Sequence, residues 1–171
     1  FAGLPVDMLT SLNVGLQYQL DRYDYKANHA AYDLSDKYFL SLAYTGRVLR
    51  RSGDDFAGGH GLAVSVGKWY TPLSAWRLGL DYGYYGAAPR YMSLALSADY
   101  MFNLSAFTVR YNSDRLFDLI ALGGVYAGVG NSQKKNEFVY GVRAGVQGRF
   151  NVSSGIDLFI EPQFLASRVS R

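Results

Sequence analysis

The stretch Trp76-Arg77-Leu78-Gly79-Leu80-Asp81-Tyr82-Gly83-Tyr84 decides the fold. Successive side chains of an extended chain point to opposite faces, so Trp76, Leu78, Leu80, Tyr82 and Tyr84 share one face. Arg77, Gly79, Asp81 and Gly83 share the other. At 3.6 residues per turn the same residues would scatter around a helix. The stretch is a strand with one greasy face and one face that combines glycine with two opposite charges.

The same period recurs on both sides of it. Upstream, Leu12, Val14, Leu16, Tyr18 and Leu20 interleave with Asn13, Gly15, Gln17 and Gln19. Tyr38, Leu40, Leu42 and Tyr44 oppose Ser41, Ala43, Thr45 and Arg47, and Leu62, Val64, Val66 and Tyr70 oppose Gly61, Ala63, Ser65 and Gly67. Downstream, Met92, Leu94, Leu96, Ala98 and Tyr100 alternate with Ser93, Ala95, Ser97 and Asp99. Residues 119–128 carry the weakest pattern: Ile120, Leu122 and Tyr126 read as the greasy set against Ala121, Gly123 and Val125, with both faces apolar. Phe138, Tyr140, Val142, Ala144, Val146 and Phe150 then face away from Gly141, Arg143, Gly145, Gln147 and Arg149. In the last segment Ile156, Leu158, Ile160 and Phe164 face away from Asp157, Phe159, Glu161 and Gln163.

Eight segments of about ten residues match the length a tilted strand needs to cross a bilayer core. A soluble sandwich has the same alternation, but its polar face is solvated and favours Lys, Glu and Thr. Here the polar face is built from Gly, Ala and Ser, as a narrow barrel interior requires. Aromatic residues collect at segment ends, with Trp69, Tyr70 and Trp76 around one turn and Tyr82, Tyr84, Tyr85 and Tyr91 around another. They read as two interfacial girdles. The expected architecture is all-β: an antiparallel up-and-down transmembrane barrel of about eight strands. It forms one domain over residues 1–171, with strands between residues 11 and 166, set among the lipids of a bacterial outer membrane.

Composition agrees. Fifteen Tyr, ten Phe and 19 Gly are a skewed set in a chain that is 49% hydrophobic, which suits strands ending at a membrane interface. No run approaches the roughly 20 apolar residues of a spanning helix. Cysteine is absent, which removes disulfides, zinc–thiolate sites and thiol chemistry. The net charge of +3 comes from scattered residues apart from Arg47, Arg50, Arg51 and the Lys134-Lys135 pair, so nucleic acid is not an expected partner. Phe1 to Thr10 has neither the basic start nor the apolar run of a signal peptide.

Link length gives a first orientation. Residues 71–75, with Pro72, and 151–155 read as short periplasmic turns, which places 21–36 and 102–116 on the same side and 51–60, 86–91 and 129–137 outside. This starts the first strand and ends the eighth outside, the reverse of native barrels. Ala166-Ser167-Arg168-Val169-Ser170-Arg171 also lacks a closing aromatic. The expectation is a portion of a longer protein with at least one strand missing at each end.

Several ordered motifs point to a family. Gly67-Lys68-Trp69-Tyr70-Thr71-Pro72, Arg77-Leu78-Gly79, Asp99-Tyr100-Met101-Phe102-Asn103-Leu104 and Tyr111-Asn112-Ser113-Asp114-Arg115 resemble outer-membrane barrels of the Bacteroidota, which are similar to the N-terminal barrel of outer membrane protein A. The resemblance covers roughly residues 36–164. It implies an outer-membrane location and a structural or accessory role, and it carries over no catalytic residue. It also makes the strand after Asp36 the first, leaves residues 12–20 as an extra strand, and so suggests a larger barrel.

The inward faces carry Arg47, Arg77, Arg143 and Arg149 against Asp81, Asp99, Asp157 and Glu161. Balanced buried charges persist when paired, so the expected lumen is plugged by salt bridges, whereas a selective pore shows one dominant sign. No cofactor, metal or catalytic set is expected. His29 and His60 fall in predicted links; His60 lies near Asp54 and Asp55 among glycines, with no serine partner. Gly58-Gly59 and Gly123-Gly124 lack the Lys-Ser/Thr and helix of a phosphate loop. The expected role is to anchor, or form part of, an outer-membrane protein assembly, with other outer-membrane or periplasmic proteins docking on the 102–116 link through Leu104, Phe107, Val109 and Tyr111. The alternative is a porin-like, small-solute pore or transport component.

Overall fold

Period-two segments joined by short polar links favour pairing between sequence neighbours, and the chain, seen in a computed structural model, folds that way. The structure describes residues 7–20, 37–50, 56–71, 73–86, 91–109, 116–132, 135–153 and 155–170. Eight strands follow in order: β1 (Asp7–Gln19), β2 (Lys37–Arg50), β3 (Phe56–Trp69), β4 (Ser74–Tyr85), β5 (Tyr91–Asn103), β6 (Phe117–Ser132), β7 (Lys135–Ser153) and β8 (Ile156–Ser170). A short helix, α1 (Leu104–Val109), lies between β5 and β6.

Each strand pairs antiparallel with the next, and β1 pairs with β8, from Asp7 opposite Ser167 to Tyr18 opposite Ile156. The sheet is therefore a closed eight-stranded barrel. Closure replaces the larger barrel, and the supposed extra strand β1 is an integral stave held on both edges. A closed sheet leaves no unpaired backbone edge, which is the condition for a sheet to enter hydrocarbon. The strands run from 12 to 19 residues, longer than the nine to eleven or so a crossing requires, so their ends project beyond the apolar band.

The outside is greasy throughout. Leu12, Val14 and Leu16 on β1, Leu40 and Leu42 on β2, Leu78 and Leu80 on β4, and Leu94 and Leu96 on β5 all face outward, with Leu96 66% exposed. Aromatic rings flank this band at both ends. One ring holds Tyr18, Tyr38, Tyr70, Trp76, Tyr100, Phe117 and Phe150; the other holds Tyr44, Tyr82, Tyr84, Phe138, Tyr140 and Phe164. A small closed barrel with this surface is typical of outer-membrane proteins.

Strand β6 corrects the sequence reading. Ile120 and Leu122 point inward and are buried, Tyr126 is half-buried, and Val125 and Val129 face out. Gly124 lies close against β5 in this arrangement, where a Cβ would collide with Asp99 Oδ1 and the Ala98 carbonyl. Two links also shrink. β2 and β3 are joined by residues 51–55 and β6 and β7 by 133–134, because the strands extend further than alternation alone suggested.

At one end of the barrel lie the links 20–36, 70–73 and 154–155 together with α1; at the opposite end lie 51–55, 86–90 and 133–134. In the 70–73 turn Thr71 Oγ1 accepts from the backbone N–H of Leu73 (3.2 Å) and Ser74 (3.0 Å). Gly155 takes a left-handed φ of 98°, which the tight β7–β8 hairpin needs. Asn103 caps α1, its Oδ1 accepting from the Ala106 N–H at 3.0 Å, and Ser105 Oγ accepts from the Leu119 N–H at 2.9 Å, tying the helix to β6.

Candidate functional site

The lumen is the candidate site, and its side chains form three layers. Nearest α1, the alternation of β2 to β6 turns Phe39, Trp69, Ala75, Met101, Ile120 and Leu122 inward into one buried apolar cluster. At the opposite end Leu9, Tyr85 and Leu165 form a second, with Tyr126 packed against it. Between the two lies a network of six charged side chains.

Asp99 on β5 and Arg77 on β4 are direct cross-strand partners, with Arg77 Nε donating to Asp99 Oδ2 at 2.9 Å. The Arg77 fork then crosses the lumen to Glu161 on β8, Nη1 to Oε2 at 2.7 Å and Nη2 to Oε1 at 3.0 Å. Arg143 on β7 donates to both oxygens of Asp99, and its Nη1 reaches Asp81 Oδ2 at 3.2 Å. Asp81 also accepts from Arg47 Nη2 on β2 at 3.3 Å. Three guanidinium groups meet three carboxylates, so the layer is neutral. Glu161 accepts further from Gln147 (2.9 Å), Asn13 (3.3 Å) and Gln163. Glycine makes the room: a Cβ at Gly83 would stand 2.5 Å from Arg47 Nη1.

The network joins five strands, β2, β4, β5, β7 and β8. Forked guanidinium–carboxylate contacts are directional, and all the partners except Asp81 and Arg47 are nearly inaccessible. Buried charges are stable only in such company. Arg77, Asp81, Asp99, Arg143 and Glu161 thus join Arg47 in one cluster, as their shared parity suggested.

Arg149 and Asp157 belong elsewhere. At the α1 end Arg149 Nη2 donates to Asp118 Oδ2 at 2.7 Å, its Nε is 3.8 Å from Asp157 Oδ2, and its guanidinium lies over the Trp69 ring at 5.3 Å. Gln19 Nε2 donates to Asp157 at 3.3 Å. Asp118 was missed in the sequence because β6 was read with the wrong parity; as the register partner of Arg149 it faces the lumen.

The aromatic assignments divide. Tyr70, Trp76, Tyr82 and Tyr84 face outward, whereas Trp69 (6% exposed) and Tyr85 (5%) leave the girdle and fill the two apolar lumen layers. Their own strands signal this: Trp69 shares the parity of Gly61 and Ser65, and Tyr85 that of Arg77 and Asp81. Tyr91 begins β5, but its side chain lies outside the described residues. His60 lies on β3 rather than in a link, on the outer face between Tyr44 (ring centroids 6.3 Å apart) and Tyr84 (5.6 Å). His29, Asp54 and Asp55 lie outside the described residues, among which no three His, Asp or Glu side chains are grouped to hold a metal ion.

In the lumen, both amide atoms of Gln17, Asn13 Oδ1 and Thr45 Oγ1 on the β1–β2 side, and Ser97 Oγ on β5 across from it, are buried without a protein hydrogen-bond partner among the described residues. Such atoms suit ordered water. No protein-family model matches the chain, and no curated protein matches it in sequence.

Proposed function

We propose that this chain is a non-conducting, non-enzymatic barrel of the bacterial outer membrane with a structural or accessory role, of the kind that the likeness to the Bacteroidota outer membrane protein A barrels implies. The observation that carries this reading is the lumen. Apolar clusters lie toward both ends, with a neutral, bidentate charge network between them. Ions entering such a lumen would have to break buried ion pairs that cost several kcal/mol each to disrupt. Purified protein in planar bilayers is expected to give no stable ohmic steps; regular steps would overturn the reading. A small-solute pore is the second reading, favoured by the buried polar atoms of Gln17, Thr45 and Asn13 Oδ1 on the β1–β2 wall that have no protein hydrogen-bond partner among the described residues. The same recording decides between them, because a pore along that wall would conduct in wild type and lose conductance in Gln17→Leu.

The lengths of the links between strands support the opposite orientation to the first. Periplasmic turns are short and outer loops longer. The links 51–55, 86–90 and 133–134 are all short, whereas the α1 end carries the two long links, 20–36 and the α1 link, beside the short 70–73 and 154–155. The α1 end is therefore assigned to the cell exterior. The chain has no cysteine, so single substitutions report without background. On intact cells Val109→Cys is expected to react with a membrane-impermeant maleimide and Gly86→Cys only after the outer membrane is opened. The opposite pattern would restore the first orientation. An anchoring role would use the exposed apolar side chains Phe107, Val109 and Leu116 on the α1 link. Cross-linking from Val109→Cys after gentle extraction is the assay for a protein partner.

A further inference from the structure

The lipid-facing surface carries almost no charge. Among described side chains, the outward positions of the eight strands hold no carboxylate and two cations, Lys68 and Arg168, at opposite ends of the barrel. Lys68 is the one held in a built setting. It is half-buried on β3, between its register partners Tyr38 on β2 and Trp76 on β4. Its ammonium lies 4.8 Å from the centroid of the Tyr38 ring and 5.7 Å from that of Tyr70, and Nζ donates to the Tyr38 hydroxyl at 3.4 Å. Trp76 packs edge-on against Tyr100 at 5.3 Å, so an unbroken row Tyr38–Lys68–Trp76–Tyr100 crosses four strands.

Ring quadrupoles attract the ammonium but do not neutralise it. A long amphipathic side chain at an aromatic girdle holds its charge at headgroup depth, where lipid phosphates are the abundant anions. The Tyr38 hydroxyl accepts from Lys68 and keeps its own O–H to donate. Cation and hydroxyl together match two oxygens of one phosphate. We infer that Lys68 and Tyr38 form a site for the phosphate of an anionic membrane lipid, which seats between the rings of Tyr38, Tyr70 and Trp76. The inference rests on the membrane reading above.

The chain has two tryptophans, Trp76 beside the site and Trp69 buried in the lumen, so contact quenching reports on Trp76. The protein is inserted into phosphatidylcholine–phosphatidylglycerol vesicles in which one lipid or the other is brominated. Brominated phosphatidylglycerol is expected to quench Trp76 as if enriched about fivefold over its mole fraction, an effect that salt weakens. Lys68→Gln should bring the two lipids to parity, and Tyr38→Phe, which keeps the cation and should fold in any event, should reduce the preference in part. Equal quenching in wild type, or a preference that survives both substitutions, overturns the site while leaving the membrane reading intact. Quenching by neither lipid overturns both. If millimolar inorganic phosphate abolishes the preference at constant ionic strength, the site takes free phosphate and the lipid assignment fails.

Discussion

Glu161 has more partners than any other carboxylate in the lumen: both Arg77 Nη atoms, Gln147, Gln163 and Asn13. Removing its charge leaves Arg77 with only Asp99, which Arg143 already shares. Unpaired buried charges cost about 3–5 kcal/mol, so Glu161→Gln is expected to lose that much stability in urea unfolding from lipid vesicles, followed by tryptophan fluorescence. Among the described residues Arg47 makes one 3.3 Å contact with Asp81, which keeps Arg143, and Arg47→Gln should lose well under half as much. Equal losses would mean that the network acts as diffuse charge rather than through these contacts. The six members were legible in the sequence because each sits on the face of its strand opposite the greasy one. Their pairing was not, since Arg77 meets Glu161 across the lumen and only closure sets that distance.

Among the strands, β6 shows where alternation fails. Both of its faces are apolar and it carries Gly123, Gly124, Gly128 and Gly130, so a period-two pattern has no contrast from which to choose a face. In the closed barrel Ile120 and Leu122 join the inward apolar cluster at the α1 end, and Gly124 lies close against Asp99. Val125→Arg, now on the lipid face, is expected to cost about 2–4 kcal/mol in the same vesicle unfolding, as a cation at mid-membrane does. Tyr126→Phe, on the lumen side, should cost far less. If Val125→Arg is tolerated, the outward assignment of β6 falls. Trp69 and Tyr85 are the converse case. Parity pointed inward, but residue type suggested a girdle, and parity was the better guide because backbone geometry binds every side chain while aromatic preference binds none.

For the whole molecule the decisive contact is β1 on β8. Val14 and Ile160 are register partners on the outer face, within the reach of a disulfide. In the double variant Val14→Cys/Ile160→Cys, oxidation is expected to give an intramolecular cross-link that leaves the folded protein monomeric on a gel. Cross-linked dimers, or no bond, would mean that these eight strands do not close on one another. What the sequence alone determined is the local part: strands, their number and, for seven of the eight, which face is greasy. A strand's two faces are written in its own consecutive residues, so nothing distant is needed to read them. Tertiary structure decided the closure, the face of β6, the splitting of the charges into a central six and the Arg149–Asp157–Asp118 group, and the burial of Trp69 and Tyr85 in the apolar lumen layers. Each of these depends on which residues meet across a closed sheet, a relation among strands distant in sequence that no single strand's pattern contains.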